Sequence, residues 1–302
     1  MPRALWRFIE HDSARRVGGT IRGGHRMLLR GRMDLHLRDR VYLVTGGSRG
    51  LGFAAAEALV GEGARVVVSS RRETSAAAAA ARLANGAATA DSVAWIAADN
   101  ADAATPERLT TTAEDRFGRL DGALVSVGGT PPGTVAATPD DAWRGSFESV
   151  FLGAVRLARL LGTYLTGSAN GPGGGAPAGT GGSVVFVLAS SVRVPLAELA
   201  VSNGLFPGLA GVVKMLAEDL GPSGIRMNGI LPVRIATERV RQLDALSGDP
   251  DDVRARKSED IPLRRYGEPE EFGRVAAFLL SPAASYITGA MIPVDGGSIR
   301  AI

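Results

Sequence analysis

The stretch Thr45-Gly46-Gly47-Ser48-Arg49-Gly50-Leu51-Gly52 limits what this chain can fold into more than any other. An apolar run, Val41-Tyr42-Leu43-Val44, precedes it, and an alanine-rich amphipathic pattern over residues 53–60 follows it. The glycines therefore fall at a strand-to-helix junction. Glycine at 46, 50 and 52 permits a sharp turn and a close approach of backbone to a pyrophosphate, while the free N–H groups and positive end of the next helix face the anion. On its own a glycine trio is equally a tight turn with close helix–strand packing. The rest of the chain decides between the two.

That remainder alternates strand and helix. Residues 64–69 read as a buried β-branched strand, followed by Arg71-Arg72 and an alanine-rich helix to about residue 84. Residues 93–97 form a third strand ending at Asp99-Asn100, and 106–117 a helix with Pro106 in its first turn. A fourth strand, 123–127, is broken by Gly128-Gly129-Thr130-Pro131-Pro132-Gly133, and a longer helical pattern runs from 141 to about 165. The Gly, Ala, Pro, Ser and Thr tract between 167 and 182 has no apolar face to bury and reads as a flexible surface insertion. Strand 183–188, helix 201–220 and strand 224–230 follow. Residues 233–262 read as polar and irregular, with a short helix over 238–246; helix 269–280 and strand 290–294, closed by Asp295-Gly296-Gly297, complete the chain. This order predicts an α/β fold over 33–302: one domain with a doubly wound, Rossmann-type, seven-stranded parallel sheet flanked by helices.

With 302 residues, 45% hydrophobic and 22% charged, the chain reads as globular. No apolar run approaches the roughly 18 residues that span a bilayer, so no membrane partner is expected. Cysteine is absent, which excludes disulfides and thiolate–zinc sites and makes the cytoplasm the simplest compartment. All three histidines, 11, 25 and 36, precede the first strand, so neither a histidine base nor a metal site is expected in the domain. Residues 1–32 hold eight arginines against Glu10 and Asp12, a balance of +6; the formal +3 of the whole chain leaves 33–302 at −3. The domain is thus not a nucleic-acid binder by charge. The basic leader reads as a disordered extension, of the kind a start codon chosen too far upstream would add. An arm touching membrane or RNA, or a targeting peptide, are its other readings, although it lacks the apolar segment of a secretory signal.

From about residue 38 to 298 the chain resembles the short-chain dehydrogenase/reductase family, within it the β-ketoacyl carrier-protein reductase-like branch. The resemblance rests on the glycine turn 45–52, Asp99, Ser190-Ser191, Ile225-Arg226-Met227-Asn228 with Pro232 and Thr237, and Tyr286-Ile287-Thr288-Gly289 through Asp295-Gly296-Gly297. It implies a dinucleotide contacted by Thr45, Gly46, Ser48, Arg49, Gly50, Leu51, Gly52, Ser70, Arg71, Asp99, Asn100, Gly128, Ile235 and Thr237. By analogy Asp99 would face the adenine amine, and the backbone at Ile235 and Thr237 the nicotinamide amide. Members that bind NAD carry an acid at the end of the second strand; here Ser69-Ser70-Arg71-Arg72 stands there. Arginine cannot accept the ribose hydroxyls but matches a 2′-phosphate, and Arg49 adds a cation, so NADP(H) is expected. The competing reading is that Arg71 and Arg72 only begin a solvated helix.

The same resemblance implies a serine, tyrosine, lysine and asparagine at the catalytic positions. Ser191 fills the first. The tyrosine position falls on Ser202, the lysine position on Phe206 and the asparagine position, seven after Trp143, on Val150. The two lysines of the chain do not replace the missing one: Lys214 lies eight residues past Phe206, about 12 Å along a helix, and Lys257 lies in the segment after residue 233. Tyr266 can approach the site or can simply pack. Arg193 and Glu198 can orient an anion or stabilise an oxyanion, or can be loop charges. The run Ser191-Val192-Arg193-Val194-Pro195 with Ser202-Asn203 resembles a divergent subgroup lacking the full catalytic set. Three readings follow. The chain is an NADP(H)-dependent oxidoreductase acting on a carbonyl or alcohol, 3-oxoacyl compounds included, with Ser191 and Ser202 as its catalytic hydroxyls. Alternatively it binds nucleotide without turnover, or is a dehydratase, lyase or cyclase using the same pocket. A small-molecule substrate and a homodimer or homotetramer are expected throughout.

Overall fold

The structure, a computed structural model, describes residues 33–87, 89–169 and 181–301. The basic leader 1–32 and most of the tract read as a surface insertion lie outside the described residues.

Seven strands, β1 (Val41–Val44), β2 (Arg65–Ser70), β3 (Val93–Ala97), β4 (Gly122–Ser126), β5 (Ser183–Val187), β6 (Arg226–Pro232) and β7 (Met291–Val294), form one sheet. All neighbours are parallel, in the order β3-β2-β1-β4-β5-β6-β7. Helices cover both faces, which is why β1 and β5 are buried at every position rather than alternating apolar with polar. Strand periodicity divides the core in two. Val41 and Leu43 join one apolar cluster, with α3 (Thr105–Phe117), α5 (Gly153–Ala169) and α6 (Ala200–Leu220). Tyr42 and Val44 join the other, with α1 (Gly50–Gly61), α2 (Glu73–Gly86) and α9 (Pro269–Leu280). The doubly wound prediction holds, with strand ends shifted by one or two residues.

Two expectations need correction. The helical pattern from 141 onward is α4 (Asp140–Ser146), then a π-helical turn at Phe147–Leu152, then α5. The wide turn inserts one extra residue and so rotates the following face by about 100°. The segment 233–262 is not mostly irregular: it holds α7 (Glu238–Ala245) and α8 (Pro250–Glu259), which pack on each other. Each has a side-chain cap. Thr237 accepts from the Val240 N–H, and Asp249 accepts from Asp251 and Asp252, with Pro250 at the first position of α8.

Among the described helices α6 alone is long and apolar enough to cross a bilayer. Its Val201, Phe206, Leu209 and Val213 lie buried in the sheet's core, which accounts for that composition without a membrane.

Candidate active site

Strand order reverses between β1 and β4, and the chain leaving β1 there is the glycine turn. In sheets of this kind a ligand lies outside the carboxyl ends of the strands at that reversal. Thr45 is buried; its hydroxyl donates to the Ser126 carbonyl at 2.9 Å and accepts from the Ser126 N–H at 2.8 Å, which bolts the end of β1 to β4. The Gly47 N–H donates to Ser69 of β2 at 3.0 Å. A Cβ on Gly52 would lie 2.5 Å from the Gly46 carbonyl oxygen, so the turn closes on α1 only with glycine there. Arg49 enters α1 extended, without a side-chain cap, and no acid occupies the first turn. The leading N–H groups of α1 are therefore left for an anion, with Ser48 and Leu51 partly exposed beside them.

The other cofactor candidates gather around this turn to different degrees. Thr237 lies against the turn: its Cγ2 is 3.6 Å from where a Cβ on Gly50 would stand. Asn100 reaches the Ser126 carbonyl at 3.5 Å, and Gly128, at φ +83°, turns the chain out of β4. Ser70 ends β2, and Arg71 just beyond it is exposed. Among the described residues neither Arg49 nor Arg71 has an ion-pair partner, whereas Arg72 turns back to Ser75 at 3.3 Å. Asp99 is exposed, and its carboxylate accepts from the Ala101 N–H at 3.0 Å. The Thr237 N–H donates to the Ile235 carbonyl at 2.8 Å, so these two backbone groups serve each other.

At the catalytic positions the structure brings Ser191 and Ser202 together, Oγ to Oγ 3.1 Å, both at most 5% exposed. The Ser191 hydroxyl also lies 3.2 Å from the Ser202 carbonyl. If that carbonyl takes the Ser191 proton, Ser202 donates to Ser191 and the pair offers nothing outward. If Ser191 donates to the Ser202 hydroxyl, Ser202 keeps one O–H for a substrate oxygen. Val150 and Phe206 are buried in one apolar cluster, so where the resemblance implies an asparagine and a lysine there is no path for a proton. Lys214 is bound elsewhere, to the Gly289 carbonyl at 3.3 Å. Arg193 and Glu198 are exposed, and the Glu198 carbonyl accepts from the Gly133 N–H at 2.7 Å.

Tyr266 does not reach the serines. It is buried, and its hydroxyl donates to Asp244 at 3.0 Å. Asp244 is the hub of a network that no motif announces: Arg234 and Lys257 each donate to its other oxygen at 2.9 Å. The hub joins the β6 exit, α7, α8 and the run-in to α9. Arg234 sits at φ +50°, a left-handed conformation costly for any residue with a Cβ, one position before Ile235. The ion pair and the Tyr266 ring, 6.0 Å from its guanidinium carbon, hold it there. Burial pushes the Tyr266 phenol up to about 12, against the pull of the Arg234 charge.

A family model described as enoyl-(acyl carrier protein) reductase matches residues 46–298, most of the chain. The chain belongs to the short-chain dehydrogenase/reductase family. An oxidoreductase of Mycobacterium tuberculosis is 32% identical over 264 residues, covering 86% of this chain and 92% of that protein. L-rhamnose 1-dehydrogenase (NAD(P)(+)) of Azotobacter vinelandii is 33% identical over 264 residues, 86% and 97% of the two chains. The crystal structure of L-sorbose reductase from Gluconobacter frateurii, complexed with NADPH and L-sorbose, superposes with a TM-score of 0.80 at 26% identity, covering 89% of this chain and all of that one.

Proposed function

We propose that this protein is an NADP(H)-dependent oxidoreductase acting on a small carbonyl or alcohol substrate. The observation that carries the reading is the open amino end of α1 above a turn that only Gly52 can close, with the guanidiniums of Arg49 and Arg71, which have no ion-pair partner among the described residues. That cradle fits a pyrophosphate, and the two cations fit a 2′-phosphate. A relative named for NAD(P)(+) use supports a nicotinamide dinucleotide, and a structural neighbour solved with NADPH supports the phosphorylated form. The nicotinamide, when bound, supplies or accepts a hydride. The chain's own part is to hold the dinucleotide at the β1–β4 reversal and to polarise a substrate oxygen through Ser202, backed by Ser191. Serine is a poor acid, so the proton comes through the hydroxyl pair from water. The missing acid lowers turnover by about 10²- to 10⁴-fold relative to a site with one.

Calorimetric titration with NADPH and with NADH tests this. Micromolar NADPH binding, NADH at least tenfold weaker, and loss of that preference in Arg71→Ala are the expected results; no binding of either would sink the proposal. A second reading, nucleotide binding without turnover, draws on the apolar Val150 and Phe206. It predicts the same titrations but no nicotinamide oxidation across sugars, diketones and 3-oxoacyl thioesters.

We further propose a homodimer or homotetramer built on α4, α5 and α6. Phe147 and Met215 are 43% and 65% exposed there, and Phe147 stacks on Phe151 with ring centres 5.3 Å apart. Phe147→Glu is expected to halve the mass measured by light scattering. An unchanged mass, or a monomeric wild type, would refute this assembly.

A further inference from the structure

Arg239 stands in the first turn of α7, two residues past the Thr237 cap. Its side chain crosses to the segment leaving β4, where Nη2 donates to the Thr130 carbonyl at 2.8 Å. Its Nε lies 3.0 Å from where a Cβ on Gly129 would stand, so glycine at 129 gives the guanidinium its seat. Thr130 is buried, which fixes the carbonyl that anchors it. Arg234, Arg241 and Arg254, from the same segment 233–262, each reach a carboxylate, Asp244, Asp251 and Glu268. Among the described residues Arg239 has none. A guanidinium carries five N–H donors in a rigid fork, and one is engaged here. The residue is exposed, and its helix is capped by Thr237, the residue against Gly50 of the glycine turn.

We propose that Arg239 binds an anionic oxygen at the mouth of the site, either a carboxylate borne by the carbonyl substrate or a phosphate of the dinucleotide. The Thr130 anchor orients the fork, and the remaining donors meet the anion in charge-assisted hydrogen bonds. The inference rests on reading the site as dinucleotide-dependent.

The test uses the full chain with Arg239→Met and Arg239→Lys, calorimetry and no turnover. One arm titrates NADPH. The other titrates the NADPH-loaded protein with 2-, 3- and 4-oxo acids, each beside its methyl ester. If the anion is a phosphate, Arg239→Met weakens NADPH by about 10- to 100-fold, the loss expected for a charged hydrogen-bond pair, and Arg239→Lys restores part of it. If the anion is a substrate carboxylate, NADPH binding is unchanged, the wild type prefers an oxo acid to its ester, and Arg239→Met abolishes the preference by a similar factor. Normal NADPH binding in both proteins with no preference of acid over ester overturns this inference alone. Failure of the wild type to bind NADPH overturns it together with the cofactor reading. Thermal midpoints of the variants within a few degrees of wild type keep the comparison on folded protein.

Discussion

Asp244→Ala is expected to lower the free energy of unfolding by about 3 kcal/mol and the melting midpoint by roughly 5–10 °C. The carboxylate is 2% exposed and takes three donors, from Arg234, Lys257 and Tyr266. Removing it leaves two cations and a phenol facing one another. Breaking a buried pair costs about 3–5 kcal/mol, and the low end applies because the Arg234 and Lys257 side chains are about one-third exposed and can turn to water. The functional effect should be as clear. Without its anchor Arg234 leaves the left-handed conformation, and the backbone from Ile235 to Thr237 loses its fixed course beside Gly50. NADPH affinity should fall with stability, whereas Asp141→Ala, which breaks an exposed pair to Arg144, should change neither by a measurable amount. The hub also sets an alkaline limit. The phenol of Tyr266 titrates higher in the folded protein than its ordinary value near 10, so its stabilising effect is complete below pH 10 and is lost as pH climbs through about 12. Tyr266→Phe should remove that part of the alkaline loss while keeping the ring under Arg234 and Arg254. Denaturant unfolding at a series of pH values measures all three variants. An Asp244→Ala protein as stable as wild type would mean that the hub carries no net energy.

Local pattern made the layered fold legible. The strands announce themselves as short β-branched runs because both faces of the sheet are buried, and the glycine turn fixes where β1 ends. The π-helical turn was not legible: Phe147 to Leu152 has ordinary helical composition, and the widening depends on what the helix meets, with Gly153 lying against the Asn100 carbonyl. Helix α8 was legible in principle, since Asp249-Pro250 is a cap followed by a first-turn proline; its polar composition hid it, because only Val253 is buried. Ser191 and Ser202 could be placed from family spacing at the serine and tyrosine positions; that their hydroxyls meet at 3.1 Å is seen only in the structure. Asp244 and Arg239 carried no signal. A buried aspartate and an exposed arginine look alike along a surface helix until the partners, 10 to 109 residues away, are in place.

Gly52→Ala should act oppositely to Gly61→Ala, although both add one methyl to α1. At residue 61 a Cβ meets nothing within 4 Å, and replacing glycine near the end of a helix gains about 0.5–1 kcal/mol through reduced chain entropy. At residue 52 the same atom would lie 2.5 Å from the Gly46 carbonyl oxygen and 2.9 Å from its carbon. Both are backbone atoms of the turn itself, so no rotamer relieves the clash and the turn must open. Gly46 cannot retreat freely, because it is linked to Thr45, which is clamped to Ser126, and to Gly47, which is bonded to Ser69. Overpacking of this kind costs about 1–3 kcal/mol. Dinucleotide binding should suffer more than stability. The opened turn withdraws the α1 N–H groups from the pyrophosphate, and hydrogen bonds to a charged group are worth about 1.5–3 kcal/mol each, so NADPH affinity should drop at least 100-fold. Calorimetry with NADPH and thermal unfolding of the two variants decide the matter. Gly61→Ala should bind as wild type and melt higher, and Gly52→Ala binding within threefold of wild type would show that the turn is not where the phosphates sit.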